Sequence, residues 1–240
     1  MRCTSTALAI ALLLLAAPAA EAYEGGAVSN GGAITGTIRV ADASLTDGTL
    51  KVTKDESFCG QTVPAEKHLV AGGKLQNAVV MLRGIASGKV LDKEGTFTIT
   101  NKQCQFVPHV MVAPKGAMMK VRNDDPVLHN SHFYLMRADA KKKNVINLAL
   151  PKQGVEIGKK KILRKSGLLS VQCDAHEFMQ GWLWVVDNPY AVVTKGDGKF
   201  ELSDVPPGTY EIVVWHESLG EKTSSVTVKA GKTASADVSY

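Results

Sequence analysis

Val171-Gln172-Cys173-Asp174-Ala175-His176-Glu177-Phe178-Met179 places a thiol, an imidazole and a thioether within seven residues. Leu168 to Gln172 precedes it and reads as a strand. Gly181 to Val186 follows it and reads as another. A short loop between two strands can aim all three side chains at one point. Working outward, similar short stretches recur. Upstream lie Phe97–Thr100, Val107–Ala113, Met118–Arg122 and Phe133–Leu135. Ala33–Val40 and Asn77–Leu82 come earlier still. Downstream, after Asp187-Asn188-Pro189, come Ala191–Thr194, Phe200–Leu202, Tyr210–Trp215, Ser225–Val228 and Ala234–Val238. Gly (22) and Pro (9) are spread between them, and no segment keeps a helical period over three turns. The fold class is therefore all-β, organised as sandwiches.

The chain has 240 residues, enough for one large or two small domains. Hydrophobic residues make up 45% and charged residues 21%, which excludes wholesale disorder. A net charge of +5 is too weak and scattered to point to nucleic acid. Residues 1–22 read as a secretory signal: Arg2, an apolar run from Ala7 to Ala17, then Ala20-Glu21-Ala22 as a cleavage pattern. The mature chain is expected to start at Tyr23, with no transmembrane segment, in the periplasm or otherwise exported. It then keeps Cys59, Cys104 and Cys173, an odd number for an oxidising compartment. Nothing matches a nucleophilic triad, a phosphate-binding loop or a pair of glycosidase carboxylates, so no enzyme activity is expected.

A soft thiolate with two imidazoles and a weak thioether suits copper. The second imidazole must come from elsewhere. His129, in Asp125-Pro126-Val127-Leu128-His129-Asn130, is the candidate, expected in a polar loop after a strand. Residues 95–187 resemble the cupredoxins, and among them the amicyanin group. Cys173, His176 and Met179 match its C-x-x-H-x-x-M loop, and His129-Asn130-Ser131-His132-Phe133 matches its upstream H-N-x-H-F pattern. The resemblance implies one mononuclear Cu(I)/Cu(II) ion, with His129, Cys173 and His176 as equatorial ligands and Met179 as the axial one. It implies that the Asn130 side chain ties its loop to the Cys173 loop, and that the exposed edge of His176 is the electron exit. His132 is expected beside the ligands or at the surface. Glu177 stands where the group usually carries Pro, so a φ restraint is lost and a charge gained next to His176. A two-copper centre would need a second Cys in the loop, and none is there.

If copper takes Cys173, Cys59 and Cys104 remain, and a disulfide between them is expected. It would close a loop of about 45 residues and stabilise by up to about 3–4 kcal/mol. His109 reads as a strand histidine or a weak secondary metal site, and His68 and His216 receive no role. Lys141-Lys142-Lys143 and Lys159-Lys160-Lys161 mark residues 141–164 as a solvated hairpin or loop, or as a docking surface for an acidic partner.

Thr194-Lys195-Gly196-Asp197-Gly198-Lys199-Phe200, followed by Val205-Pro206-Pro207-Gly208-Thr209-Tyr210, resembles the carboxypeptidase regulatory-like, transthyretin-like β-sandwich. Its first strands are missing there and reappear as Ile34–Val40 and Asn77–Leu82. The expected layout is a flexible lead-in at 23–32, N-terminal strands of the second sandwich at 33–90, a Greek-key cupredoxin at 95–187, and the regulatory-like sandwich at 190–240. The second sandwich would then be split around the first. The alternative is three sequential pieces. The expected function is an exported blue-copper carrier of single electrons. By analogy with the family, its partner would be a redox protein such as a dehydrogenase or a c-type cytochrome. Two further readings stay open: copper delivery without electron transfer, and a glycan- or protein-binding sandwich with a vestigial metal site.

Overall fold

The computed structural model describes residues 22–42 and 44–240. The expected signal segment, apart from Ala22, lies outside the described residues. The chain is all-β, and period-two alternation decides what each strand buries. In Gln180–Val186, Leu183 and Val185 enter one apolar core while Trp182 and Trp184 turn to the opposite face. In Gly208–His216, Ile212 and Val214 enter a second core while Trp215 faces away from it. Two sandwiches result, and the two outward faces meet.

The first sandwich has a four-stranded sheet in the order Gln105–Val107, Phe97–Lys102, Met119–Asn123, Glu156–Lys159. Facing it is a five-stranded sheet in the order Val110–Pro114, Gln180–Val186, Gly167–Gln172, His129–Met136, Lys142–Leu150. Ile99, Phe106, Val121, Phe133, Leu150 and Leu183 lie fully or almost fully buried between them. Two neighbouring pairs are parallel, Phe97–Lys102 with Met119–Asn123 and Val110–Pro114 with Gln180–Val186; the others are antiparallel.

The second sandwich draws strands from both ends of the described chain. Val79–Arg83 lies between Ala191–Val193 and Gly208–His216, with Gly220–Val228 at the edge. Gly32–Arg39 pairs with Lys199–Val205, and also with Thr233–Ser235 and Val238–Ser239. The Asp197-Gly198 turn needs its glycine: φ is +65°, and a Cβ there would sit 2.7 Å from the Ile38 carbonyl oxygen. At the junction, Trp215 meets Trp182 and Trp184 edge-on, with ring centroids 5.5 and 5.9 Å apart.

Three regions differ from the sequence reading. The stretch 141–164 is not a solvated loop. Lys142–Leu150 is a nine-residue edge strand and Glu156–Lys159 another, and Leu148, Leu150, Ile162 and Leu163 are buried. The lysine clusters therefore lie at sheet edges, where charge discourages pairing with another chain. The lead-in is anchored: Glu24–Gly25 pairs with Ser87–Gly88, and the Tyr23 hydroxyl donates to the Lys89 carbonyl at 2.5 Å. Within the turn-rich 41–76, Thr49–Lys51 pairs with Thr62–Pro64 as a hairpin, and a four-residue helix, α1 (Glu56–Cys59), sits at its tip.

Candidate metal centre

Strands Gly167–Gln172 and Gln180–Val186 close on each other at the Gln172–Gln180 pair, so residues 173–179 form the connecting loop. The Met179 amide donates to the His176 carbonyl at 2.9 Å and turns the loop inward. The neighbouring strand His129–Met136 pairs His132 with Gln172, which brings His129 and Asn130 over the loop. His129 thus opens a strand, not a polar loop, and the pleat fixes its direction.

Three side chains converge. Cys173 Sγ lies 3.9 Å from His129 Nδ1 and 3.8 Å from His176 Nδ1, and all three donor atoms fall within 4.8 Å of one another. With metal–sulfur and metal–nitrogen bonds of about 2.3 and about 2.0 Å, donors at a trigonal angle stand about 3.7 Å apart. The donor set and its spacing therefore fit one soft ion. All three residues are buried, and Met179 is buried in the same core as Cys173.

Each imidazole is held from behind by a carboxylate. His129 Nε2 donates to Asp125 Oδ2 at 2.9 Å, and His176 Nε2 donates to Asp55 Oδ2 at 2.8 Å. A carboxylate only accepts, so each ring carries its hydrogen on Nε2 and leaves the Nδ1 lone pair facing the sulfur. Burial pushes the Cys173 thiol pKa up, against the amide donors around it. Burial likewise pushes the His129 pKa down, although Asp125 opposes this. A soft ion held here would take the place of the proton on the Cys173 sulfur.

Asn130 Oδ1 accepts from the amides of Asp174 (2.8 Å) and Ala175 (3.1 Å), and the Asn130 amide points to Cys173 Sγ at 3.4 Å. One residue thereby holds the loop through its side chain and the sulfur through its backbone amide. His132 stays outside the donor group. Its Nδ1 lies 3.1 Å from Asp174 Oδ2 and 2.7 Å from the Tyr134 hydroxyl. Glu177 is exposed, and the carboxylate that meets His176 is that of Asp55. The expected exposed edge of His176 is absent: the residue is fully buried, and Asp55, at the head of α1, meets its Nε2.

Cys59 and Cys104 form a disulfide. Cys104, Asp125 and His129 are also close together, but the Cys104 sulfur is spent in that bond. Asp55 and Asp125 were missed by the sequence reading. Asp125 stands four residues before His129 and was within the quoted stretch. Asp55 lies 121 positions from His176 and gave no local signal.

His109 sits at the junction of the sandwiches. Its Nε2 contacts Glu217, and its Nδ1 lies 3.8 Å from Glu66. Glu217 also accepts from Trp182 Nε1 at 2.9 Å.

Residues 185–240 match the family model of the carboxypeptidase regulatory-like domain. Comparison with curated proteins found no match. Among solved structures, a reduced amicyanin variant is 15% identical, with a TM-score of 0.32, covering 38% of this chain and 83% of that one. A copper-containing nitrite reductase from Thermus scotoductus SA-01 is 19% identical, with a TM-score of 0.31, covering 41% of this chain and 24% of that one. A purple cupredoxin from Nitrosopumilus maritimus is 19% identical, with a TM-score of 0.29, covering 38% of this chain and 99% of that one. Among the described residues, no helix is long and apolar enough to cross a membrane.

Proposed function

We propose that this is an exported, mononuclear copper protein that carries single electrons, with His129, Cys173 and His176 as its strong ligands and Met179 as a weak axial one. The observation that supports it is the meeting of one thiol and two carboxylate-backed imidazoles, all buried, at trigonal spacing. Copper bound there would supply a reversible one-electron change between Cu(I) and Cu(II). The chain's own part is to hold geometry. Asp125 and Asp55 fix the rings, Asn130 fixes the sulfur, and the paired strands on either side of the loop limit how far the donors move. A rigid donor set that suits both oxidation states keeps reorganisation small.

In this reading no substrate is turned over. The partner is a redox protein, a dehydrogenase or a c-type cytochrome by analogy. The first sandwich, at 95–187, is inserted into a second one built from 33–90 and 190–240, which docks or tethers the carrier. The test is the optical spectrum of the copper-loaded, oxidised protein. Intense thiolate-to-copper absorption in the orange-red is expected, with complete loss in Cys173→Ser. A colourless wild type overturns the reading.

One observation favours a second reading, copper storage or delivery. The His176 edge that would pass electrons is covered by Asp55. Stopped-flow self-exchange separates the two. A carrier exchanges electrons readily and is reversibly oxidised; a delivery protein holds Cu(I) and does neither.

A further inference from the structure

A path between the two carboxylates behind the imidazoles runs through one disulfide. Asp55 stands at the head of α1 in the left-handed region (φ 56°), and the Cys59 amide donates to its carbonyl at 2.9 Å. Cys59 is bonded to Cys104. The Cys104 amide donates at 2.9 Å to Asp125 Oδ2, the same oxygen that receives the His129 Nε2–H. The path from His176 to His129 therefore runs through Asp55, α1, the disulfide and Asp125. The metal donors close this path from the other side.

The hold on α1 is otherwise slight. Of its four residues none is fully buried, and only Cys59, through which the disulfide runs, packs against the first core. A single turn is not stable by itself. Its flanking hairpin is anchored separately: Thr49–Lys51 pairs with Thr62–Pro64, and Asp47 accepts from the amides of Glu66, Lys67 and His68 at 2.9–3.1 Å. Val52, fully buried, donates to the Gln61 carbonyl just below the tip. The tip can therefore lift without unravelling its base.

We propose that α1 is a latch over the metal centre, locked by the Cys59–Cys104 disulfide and opened when a protein dithiol reduces that bond. Cys59 is the point of attack, since it is half-buried while Cys104 is fully buried. A thiolate of the dithiol attacks Cys59 Sγ. The S–S bond breaks, and its electron pair leaves on Cys104 Sγ, which takes a proton. The second thiol of the dithiol then resolves the mixed disulfide and frees Cys59 as a thiol. Two electrons pass to the protein, and the dithiol ends as a disulfide. With the link cut, Asp55 leaves His176, and the imidazole edge opens to solvent for metal loading or removal. The oxidised chain retains its metal. The metal-handling half of this inference rests on the copper reading above; the opening of α1 does not.

Two measurements test it on the full mature chain. The first is metal-free. Acylation of His176 by diethyl pyrocarbonate, followed by peptide mass, is expected to run at least tenfold faster in Cys59→Ser/Cys104→Ser than in the oxidised wild type. Asp55→Ala, which keeps the disulfide, is expected to show the same direction and guards against misfolding of the double variant. The second is the rate of Cu(I) transfer to a chelator under anaerobic conditions. It is expected to rise 10- to 100-fold on opening, with no further gain when Asp55→Ala is added to the double variant. Equal acylation rates in oxidised wild type, double variant and Asp55→Ala overturn the latch. Faster acylation in a protein that takes up no copper leaves the latch standing and overturns the copper reading instead.

Discussion

At the candidate metal centre, His129 and His176 spend Nε2 on carboxylates and turn Nδ1 toward a common sulfur, 3.9 and 3.8 Å away. At the junction of the sandwiches, three other histidines are arranged differently. His109 lies between Glu217 and Glu66. His216 turns Nδ1 to the Ser218 amide and hydroxyl, at 3.4 and 3.2 Å, and its buried Nε2 has no partner. His68 shares the same hydroxyl at 2.8 Å. Both regions are buried and rich in imidazole. In one, the spare nitrogens converge on a soft donor. In the other, the rings turn to separate carboxylates or to a shared hydroxyl, and no soft donor lies among them. Convergence of free lone pairs, not the number of histidines, separates a metal centre from a polar joint.

Substitution of Glu217 breaks the joint and tests this distinction with the largest effect. Burial works to raise the Glu217 carboxyl, but His109 and the Trp182 Nε1–H hold it below its ordinary value. Glu217→Ala would leave the half-buried Trp182 Nε1–H without its acceptor and the buried His109 with only Glu66, 3.8 Å away. Breaking a buried pair on one side costs about 3–5 kcal/mol, to be read from urea unfolding. Copper bound per folded molecule should not change. If copper binding falls in step with stability, the two regions are not independent.

Substitution of Asp125 tests the other side. Asp125→Asn keeps an acceptor for the Gln103 or Cys104 amide but weakens the hold on the His129 ring. Loss of such an outer partner typically lowers metal affinity 10- to 100-fold, or about 1.4–2.7 kcal/mol. A competition titration measures it. The same substitution should leave the joint intact, seen as unchanged fluorescence from the tryptophans at Trp182, Trp184 and Trp215.

Much of this was legible in the chain. The loop Cys173–Met179, the upstream His129-Asn130 and the all-β class all follow from local patterns, because strand alternation and ligand spacing are short-range signals. The edge strand Lys142–Leu150 was not legible. Of its nine residues only Leu148 and Leu150 are buried, and three polar residues open it, so alternation is masked where an edge must repel pairing. The burial of His176 was also hidden. It depends on a hairpin tip brought from 121 positions away, and only the Cys59–Cys104 pairing, inferred from the odd thiol count, hinted that this tip comes near the centre.

The smallest effect concerns His216 and sharpens the comparison through pH. Burial pushes its pKa down to about 4, with Glu217 resisting and His68 and His109 adding to the fall. In the unfolded chain an imidazole titrates near its ordinary value of about 6.5. Between these two values the unfolded state binds the extra proton, so stability falls as pH drops through that window and is fully present above it. The contribution is on the order of 2 kcal/mol at most, allowing for neighbours that share the burden. His129 is depressed too, mainly by burial, and acts in the same direction. The two separate by substitution and by metal. Urea unfolding of the metal-free protein at pH 4.5 and 7 should show the combined slope. His216→Gln should remove the junction's share and leave the rest. If His216→Gln leaves the slope untouched, the buried imidazole at the junction is not the group that resists the proton, and the dependence belongs to His129.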